Sequence, residues 1–456
     1  MLYTGACPAI PVKDLADCKK INTDDEIFAE SPEKQEKLST KRETDRFSGV
    51  LGNEGIFMDF NLSDEQRQYL NTVRRFIERE VSPQAIHLEQ EHIFPFGIIK
   101  KAWELGIMNL SIPEDIKGYG IDAIASALII KEISCGDSGI ATSAMCNDLA
   151  NIVIAMHGTK EQQRTFLSPF VEKPLLASFC LTEPGAGSDN SAMTTSMRKG
   201  EDGRYVLNGG KSFITNASYA SQFTAFCKVG KPTSPFMACV VIPSLEIEPD
   251  TADLTSDDSR EITLPGGGKI ITGKPEDKLG QRLSNTATVT FEDVVIEEEQ
   301  IIGDRRRGFQ YITEVLDYAR PMVAAIGVGI AKRALDISLA YTKERRQFGE
   351  RICDMPVARE TLVEMWKRYQ LADMALIKAA FLIEEKSPEQ GIYASLAKNL
   401  AAEAAIFCAT QGLHLHGGYG FMAQYEISKL LRDAQIIDIY EGTREVQSMI
   451  IGRELI

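Results

Sequence analysis

At 456 residues, 44% apolar and 25% charged, the chain is long enough to bury more than one core, and two to three structural units are expected at ~150 residues each. Its 50 basic and 65 acidic residues leave a net charge of −15, which argues against a sequence-independent nucleic-acid surface and requires local cations for any anionic ligand. Nine cysteines without one CxxC pair suggest neither a zinc knuckle nor a disulfide framework, so a reducing compartment fits best.

No continuous apolar stretch approaches the ~20 residues that span a bilayer, and the start of the chain lacks a basic region followed by an apolar run. The expectation is a cytoplasmic protein with neither membrane nor nucleic-acid partners. Residues 1–57 are polar, mixed in charge and weakly periodic, and read as an amino-terminal extension of unknown role. Strong patterning begins with "MDFNLSDEQRQYL" at Met58, where Ser63 and Gln66 have capping-box spacing and predict a helix start. Helical periodicity continues through "FGIIKKAWELGI", "IDAIASALIIKEI" and "EQQRTFLSPFV", so residues 58–178 are expected to be a helical domain.

From 179 to 302 the period changes to that of strands. "YVLNGGKSFI" places Asn208-Gly209 between apolar runs and predicts a hairpin turn, since both residues tolerate positive φ. "FMACVVIP" and "TATVTFEDVVI" read as strands, the second with Ala287, Val289 and Phe291 on one face. Residues 246–275 are acidic and rich in Gly and Pro, which predicts an enlarged loop with a short hairpin. Residues 303–456 return to helix: Leu362, Met365, Trp366 and Tyr369 follow helical spacing, and an Ala-rich helix should stop at Gly417-Gly418. Helix, then β, then helix bundle makes the chain an α+β protein.

Three tempting motifs fail on spacing. "NGGKS" has Tyr205 where a phosphate loop needs its first glycine. His414 and His416 are two residues apart on a helix and have no partner at metal spacing, so no metal is expected. "EPGAGSD" does not complete GxGxxG. Its small residues and the hydroxyls of Thr182 and Ser188 could still let a flavin or pyrophosphate approach, although an ordinary interdomain turn accounts for the glycines equally well.

The stretches "LTEPGAGSD", "KSFITNA", "KLGQRLSNTATVTFEDVVI", "IIGDRRRGFQ", "ARPMVAAIGVGIAKRALDISLAYTKERRQFG", "LHGGYGF" and "IYEGT" occur in the order seen in acyl-CoA dehydrogenases, and the resemblance covers residues 58–456. It implies an N-terminal helical domain, a central β-barrel and a C-terminal four-helix bundle, in a homotetramer (a dimer of dimers) with one FAD per subunit. The implied reaction is α,β-dehydrogenation of an acyl-CoA thioester, with electrons passing to an electron-transfer flavoprotein. An acyl-CoA oxidase or an enoyl-CoA reductase using the same flavin site is the alternative. A non-catalytic, nucleic-acid-binding relative is disfavoured by the acidic charge and by Glu441.

The chemistry needs one carboxylate to take the α-proton while hydride leaves the β-carbon toward a flavin on the other side. Glu441 matches the base of the medium- and short-chain enzymes, and burial among Ile436, Ile437, Ile439 and Tyr440 should raise its pKa. Ala319 occupies the position where isovaleryl- and long-chain-type relatives carry their base. By the same resemblance, Phe179, Leu181, Thr182, Gly187 and Ser188 belong to the loop under the flavin, with Ser188 also reaching the CoA side. Phe213, Ile214 and Thr215 resemble the segment that stacks on the flavin ring. Arg345 and Gln347 match contacts to the FAD pyrophosphate of a neighbouring subunit; Phe348, His414, Gly417, Gly418, Thr443 and Glu445 are also assigned to the cofactor. Asp317 and Arg320 match a pair that holds the CoA nucleotide, and Tyr440 and Gly442 are assigned to the substrate. Pro356, His414 and Arg444 depart from the family pattern.

Overall fold

The computed structural model describes residues 64–201, 203–244 and 259–456. The amino-terminal extension, the Ser63 cap and the acidic first half of the 246–275 loop lie outside the described residues.

The first region holds α1 (Asp64–Phe76), α2 (Ala85–Gln90), α3 (Phe96–Glu104), α4 (Ala123–Gly136), α5 (Ser138–His157) and α6 (Lys160–Glu172). Asp122 and Asp137 cap α4 and α5, their carboxylates accepting from the N–H groups of Ala125 and Ile140 at 2.6 and 2.9 Å. Thr159 and Gln162 form a reciprocal capping box at the start of α6.

Helix α5 corrects the expectation drawn from apolar runs: it is 20 residues long and contains an 18-residue window of mean hydropathy 1.3, long and apolar enough to cross a bilayer, yet 89% of that window is buried inside the protein. Polar residues interrupt its sequence, and Asn147 and Asp148 among them are satisfied internally. Asn147 donates to Leu175 O and accepts from Ala177 N, both at 2.8 Å, and Asp148 accepts from the N–H and hydroxyl of Ser111 at 2.7 Å. The helix packs between β1 and the long helix α7 described below.

The middle region is one mixed sheet: β1 (Leu176–Cys180), β2 (Ser196–Lys199), β3 (Tyr205–Thr215), β4 (Ala220–Val229), β5 (Met237–Pro243), β6 (Arg260–Thr263), β7 (Lys269–Thr272), β8 (Thr286–Ile296) and β9 (Ile301–Ile302). Hydrogen bonding runs β6-β7-β8-β3-β2-β4-β5-β9 with β1 parallel to β4, so among the described residues the path ends at β6 and β9. Strand β8 alternates as its sequence predicts, with Ala287, Val289 and Phe291 buried. The β6–β7 hairpin is the one expected within 246–275.

Asn208-Gly209 is not a hairpin turn. Strand β3 runs straight through it, and the register against β8 slips between Leu207 and Gly209. The Asn208 side chain pairs with Asp293 on β8, donating at 3.0 Å and accepting from its N–H at 2.9 Å, which makes a bulge out of the turn-forming pair. Gly209 has φ of +146°, and a Cβ there would lie 2.4 Å from Thr195 Oγ1.

The third region begins with α7 (Gly308–Glu344) and the small hairpin β10 (Arg346–Gln347) and β11 (Glu350–Arg351). Helices α8 (Pro356–Glu384), α9 (Gln390–His416), α10 (Glu426–Ala434) and α11 (Arg444–Leu455) follow. Helices α7, α8 and α9 pack on one another through buried alanines, and α9 stops at Gly417, whose φ of +59° suits glycine. Trp366 leaves the stripe expected of it: Leu362 and Met365 are buried but Trp366 is 54% exposed. The helices on either side of the sheet share one apolar core, and the sheet has its own.

A buried charge cluster joins these regions. Lys429 of α10 reaches Asp137 at 2.7 Å and Asp433 at 2.5 Å, and Asp433 also accepts from Ser138 Oγ and Gln281 N. Removing one partner leaves uncompensated buried charge. Lys429→Met should lower unfolding free energy by ~3–5 kcal/mol in a urea titration; a loss below ~1 kcal/mol would show that the cluster carries no such role.

Candidate active site

The loop after β1 is held from beneath by one buried ion pair. Glu183 accepts from Lys211 Nζ at 2.9 Å, from Thr194 N and Oγ1 at 2.6 and 2.8 Å, and from Thr195 N at 3.0 Å. Lys211, 1% exposed, also donates to Leu181 O at 2.9 Å, and Ser212 N donates to Thr182 O at 2.9 Å. Burial alone would raise the Glu183 pKa, but Lys211 and the surrounding donors hold it down at about 2. A Cβ at Gly185 or Gly187 would meet nothing within 4 Å, so the rest of the loop faces open space.

Phe213, Ile214 and Thr215 end β3 beside this loop. Phe213 has φ of +58° and presents a ring that is 69% exposed, while Ile214 is buried behind it. Thr215 O accepts from Ser178 Oγ at 2.8 Å and from Cys146 Sγ at 3.8 Å. Phe179 packs edge-on against Phe226 with ring centroids 5.5 Å apart, and Leu181 is buried, so neither side chain is presented at the surface. Thr182 is half-buried and Ser188 exposed. An exposed aromatic face beside hydroxyls suits a flat, hydrogen-bonding heterocycle such as a flavin.

Glu441 sits in the irregular turn before α11. Its φ is +54° and that of the following Gly442 is +97°, a left-handed pair that costs a non-glycine residue ~1–2 kcal/mol. Burial raises the carboxyl pKa, and the nearby cations of Arg320 and Lys398 pull against that rise. The expected wall of Ile436, Ile437, Ile439 and Tyr440 is only partly present, because Ile439 turns outward and is 57% exposed. Instead Glu441 sits near Cys146 of α5, whose thiol is pushed up to about 12 by burial first, with Glu441 adding to it. Cys146 is thus near Glu441 as well as bonded to Thr215 O.

Arg320 is 5% exposed and donates to Asp317 at 2.5 Å, while its charge acts on Glu441. The pair expected at the CoA nucleotide therefore also borders the carboxylate. Tyr440 lies near Thr142 and Gln281, and burial pushes its pKa up to about 12. Thr443 caps α11 by accepting from Val446 N at 3.4 Å, and Glu445 is exposed beside it. Arg444 pairs with Asp438 at 2.9 Å and with Glu403 at 3.2 Å, so this departure serves the turn's own scaffold. Sequence reasoning missed Lys398 and Gln447, whose side chains end on the carbonyls of the Glu441-Gly442 turn.

The remaining candidates gather elsewhere. Arg345, Gln347, Phe348, His414, Gly417 and Gly418 line a depression of about 640 Å³ together with Tyr341, His416 and Tyr419. The Arg345 guanidinium lies 5.6 Å from the Tyr419 ring centroid, and His416 stacks on Tyr341 at 4.2 Å. No residue of 179–188, 213–215 or 440–445 lines this depression. Pro356 opens α8, where a missing N–H costs nothing.

Family models described as the acyl-CoA dehydrogenase N-terminal, middle and C-terminal domains match residues 63–173, 178–294 and 306–456. The chain belongs to the acyl-CoA dehydrogenase family. It is 37% identical to the probable acyl-CoA dehydrogenase YngJ of Bacillus subtilis over 406 residues, covering 88% of this chain and 100% of that protein. It is 34% identical to the human mitochondrial short-chain specific acyl-CoA dehydrogenase, covering 88% of this chain and 92% of that protein. Butyryl-CoA dehydrogenase from Megasphaera elsdenii superposes with a TM-score of 0.79 at 32% identity, over 87% of this chain and 100% of that one. A chain of the structure described as the electron transferring flavoprotein of Acidaminococcus fermentans does so with a TM-score of 0.80 at 31% identity, over 88% and 100%. An acyl-CoA dehydrogenase from Bacillus anthracis complexed with FAD gives 0.77 at 30%, over 88% and 68%.

Because the folded-state pKa of Glu183 is depressed, its stabilisation is present above the unfolded value and is lost as pH falls from about 4.5 toward about 2. The stability difference between wild type and Glu183→Gln should narrow across that window in acid titrations followed by circular dichroism. A difference that stays constant would contradict the buried pair.

Proposed function

We propose that the chain dehydrogenates a short-chain acyl-CoA thioester to the trans-2-enoyl-CoA, with Glu441 as the base, FAD as the hydride acceptor and an electron-transfer flavoprotein as the next acceptor. The observation that carries this reading is the half-buried Glu441, near the same Cys146 whose thiol reaches Thr215 O of the Phe213–Thr215 segment. When bound, FAD supplies an acceptor for two electrons and a proton as hydride from the β-carbon. Phe213 offers it a face to stack on, while Thr182, Thr215 and the loop to Ser188 offer hydrogen-bonding groups. On the other side of the thioester, Glu441 takes the α-proton, and its own backbone N–H is placed to donate to the thioester carbonyl as negative charge develops there. Asp317, Arg320, Tyr440 and Gly442 line the substrate side.

The separation between the flavin-ring residues and the Arg345–Gly418 depression supports assembly from more than one copy, in which a neighbour's Arg345 and Gln347 reach the pyrophosphate. Phe348, 97% exposed, and Phe421, 76% exposed, border that depression or its adjoining turn and suit a covering subunit. This reading gives a homotetramer, a dimer of dimers, acting in the cytoplasm. Its domains are 58–178 helical, 179–302 a β-barrel, and 303–456 a four-helix bundle; Thr443 and Glu445 stand at the cofactor edge. The similarity to short-chain and butyryl-CoA enzymes supports a short acyl group.

Turnover of acyl-CoA thioesters of increasing length with an artificial acceptor should be fastest for the short chains; a preference for long or branched chains would contradict the substrate assignment. Since Glu441 must be ionised to accept a proton and its pKa is raised, kcat should fall on the acid side at a pH above the ordinary glutamate range. Glu441→Gln should stay yellow and bind acyl-CoA but lose at least ~100-fold in kcat. Retained turnover in that variant would remove the base assignment.

A further inference from the structure

Lys398 and Gln447 take no part in the reaction as described, yet both are fully buried and both end on the Glu441-Gly442 turn, sharing the Gly442 carbonyl. Gln447 Nε2 donates to Glu441 O and to Gly442 O, each at 3.0 Å, and Lys398 Nζ donates to Gly442 O at 2.5 Å. We propose that Lys398 and Gln447 are positioning residues: a side chain from α9 and one from α11 clamp the paired carbonyls of the Glu441-Gly442 turn, fix its left-handed backbone and aim the carboxylate, with Lys398 setting a positive charge beside it. The inference rests on Glu441 being the base.

Two consecutive residues with positive φ turn their carbonyls to one side, where they need donors once water is gone. Gln447 supplies both hydrogens of one amide to two successive oxygens, which fixes their relative orientation and with it the direction of the Glu441 Cα–Cβ bond. Gly442 is part of the same fit, since a Cβ there would lie 2.4 Å from Gln447 Nε2. A longer residue at 442 would displace the clamp even if it tolerated the φ of +97°.

For one carbonyl a neutral donor would be enough, and a buried ammonium is costly unless its charge is used. The charge of Lys398 faces Asp438 on the turn before Glu441, Glu441 itself, Arg320 from α7 and Arg444 from α11. Glu441 therefore experiences burial, which favours the neutral acid, against two cations from separate helices, which favour the carboxylate. Burial brings Lys398 itself down to about 8, so its charge is present in neutral solution and is lost in alkali.

The test compares holoenzymes carrying Lys398→Met, Gln447→Met and Glu441→Gln with wild type. Lys398→Met should move the acid limb of kcat upward by about one pH unit, because removing the cation disfavours the carboxylate. Gln447→Met should lower kcat ~10–100-fold through misplacement, with the limb unmoved and KM changed by less than ~3-fold. A second readout bypasses turnover: an acyl-CoA analogue with sulfur in place of C3 can lose its α-proton but has no β-hydrogen to transfer. Exchange of that proton with deuterated water, read by mass spectrometry, should slow in parallel with kcat. Wild-type exchange in Gln447→Met, or an unmoved acid limb in folded Lys398→Met, would overturn the clamp. If Lys398→Met does not fold, the exchange rate of Gln447→Met decides. Exchange by Glu441→Gln at the wild-type rate would instead overturn the base assignment on which the inference rests.

Discussion

A carboxylate that must take a weakly acidic proton has to be shielded from water and still be able to ionise, and these demands oppose each other. Burial raises the pKa of Glu441 and so makes it a stronger base, but it also disfavours the ionised form that must accept the proton. Arg320 from α7 and Lys398 from α9 supply the compensation as fixed cations, each held by its own partners. The turn that carries Glu441 is irregular, and no periodic hydrogen bonding can hold it. Its carbonyls are satisfied by side chains from two helices, which explains why three helices must converge at one point for a single side chain to be aimed.

The facing wall follows a similar logic with opposite chemistry. Glu183 and Lys211 are paired below the loop and collect backbone N–H groups, so the loop is anchored from beneath and stays open above. Its open side, with Phe213 in a left-handed conformation, has room for a flat ring. Helix α5 supplies Cys146, which bonds Thr215 O and is near Glu441.

The order of helix, sheet and helix was legible in the sequence because each change of period reports a change in which face is buried. Strand β8 and the stop of α9 at Gly417 followed from local rules that nothing in the tertiary structure opposes. Asn208-Gly209 did not, because Asp293 on another strand takes up the Asn208 side chain and turns a local hairpin signal into a bulge. Helix α5 was obscured by its internal polar residues, whose partners are distant in sequence. In the site, Glu441 could be named but its surroundings could not: Ile439 faces outward, and the real neighbours come from α5, α7 and α9. One signal for Lys398 was present, a single lysine on a helical stripe with Ala394, Ala401, Ala402 and Ala405, all of them buried. Gln447 gave no comparable cue, since one glutamine in an amphipathic turn is unexceptional.

The most direct measurement is a crystal structure of the FAD-loaded protein with a non-reactive thioester analogue. The account predicts a Glu441 carboxylate oxygen within ~3–3.5 Å of the α-carbon, on the side of the acyl chain away from the flavin, with Gln447 still bonded to the Glu441 and Gly442 carbonyls. A carboxylate turned away from the α-carbon, or lying on the same side as the flavin, would contradict it.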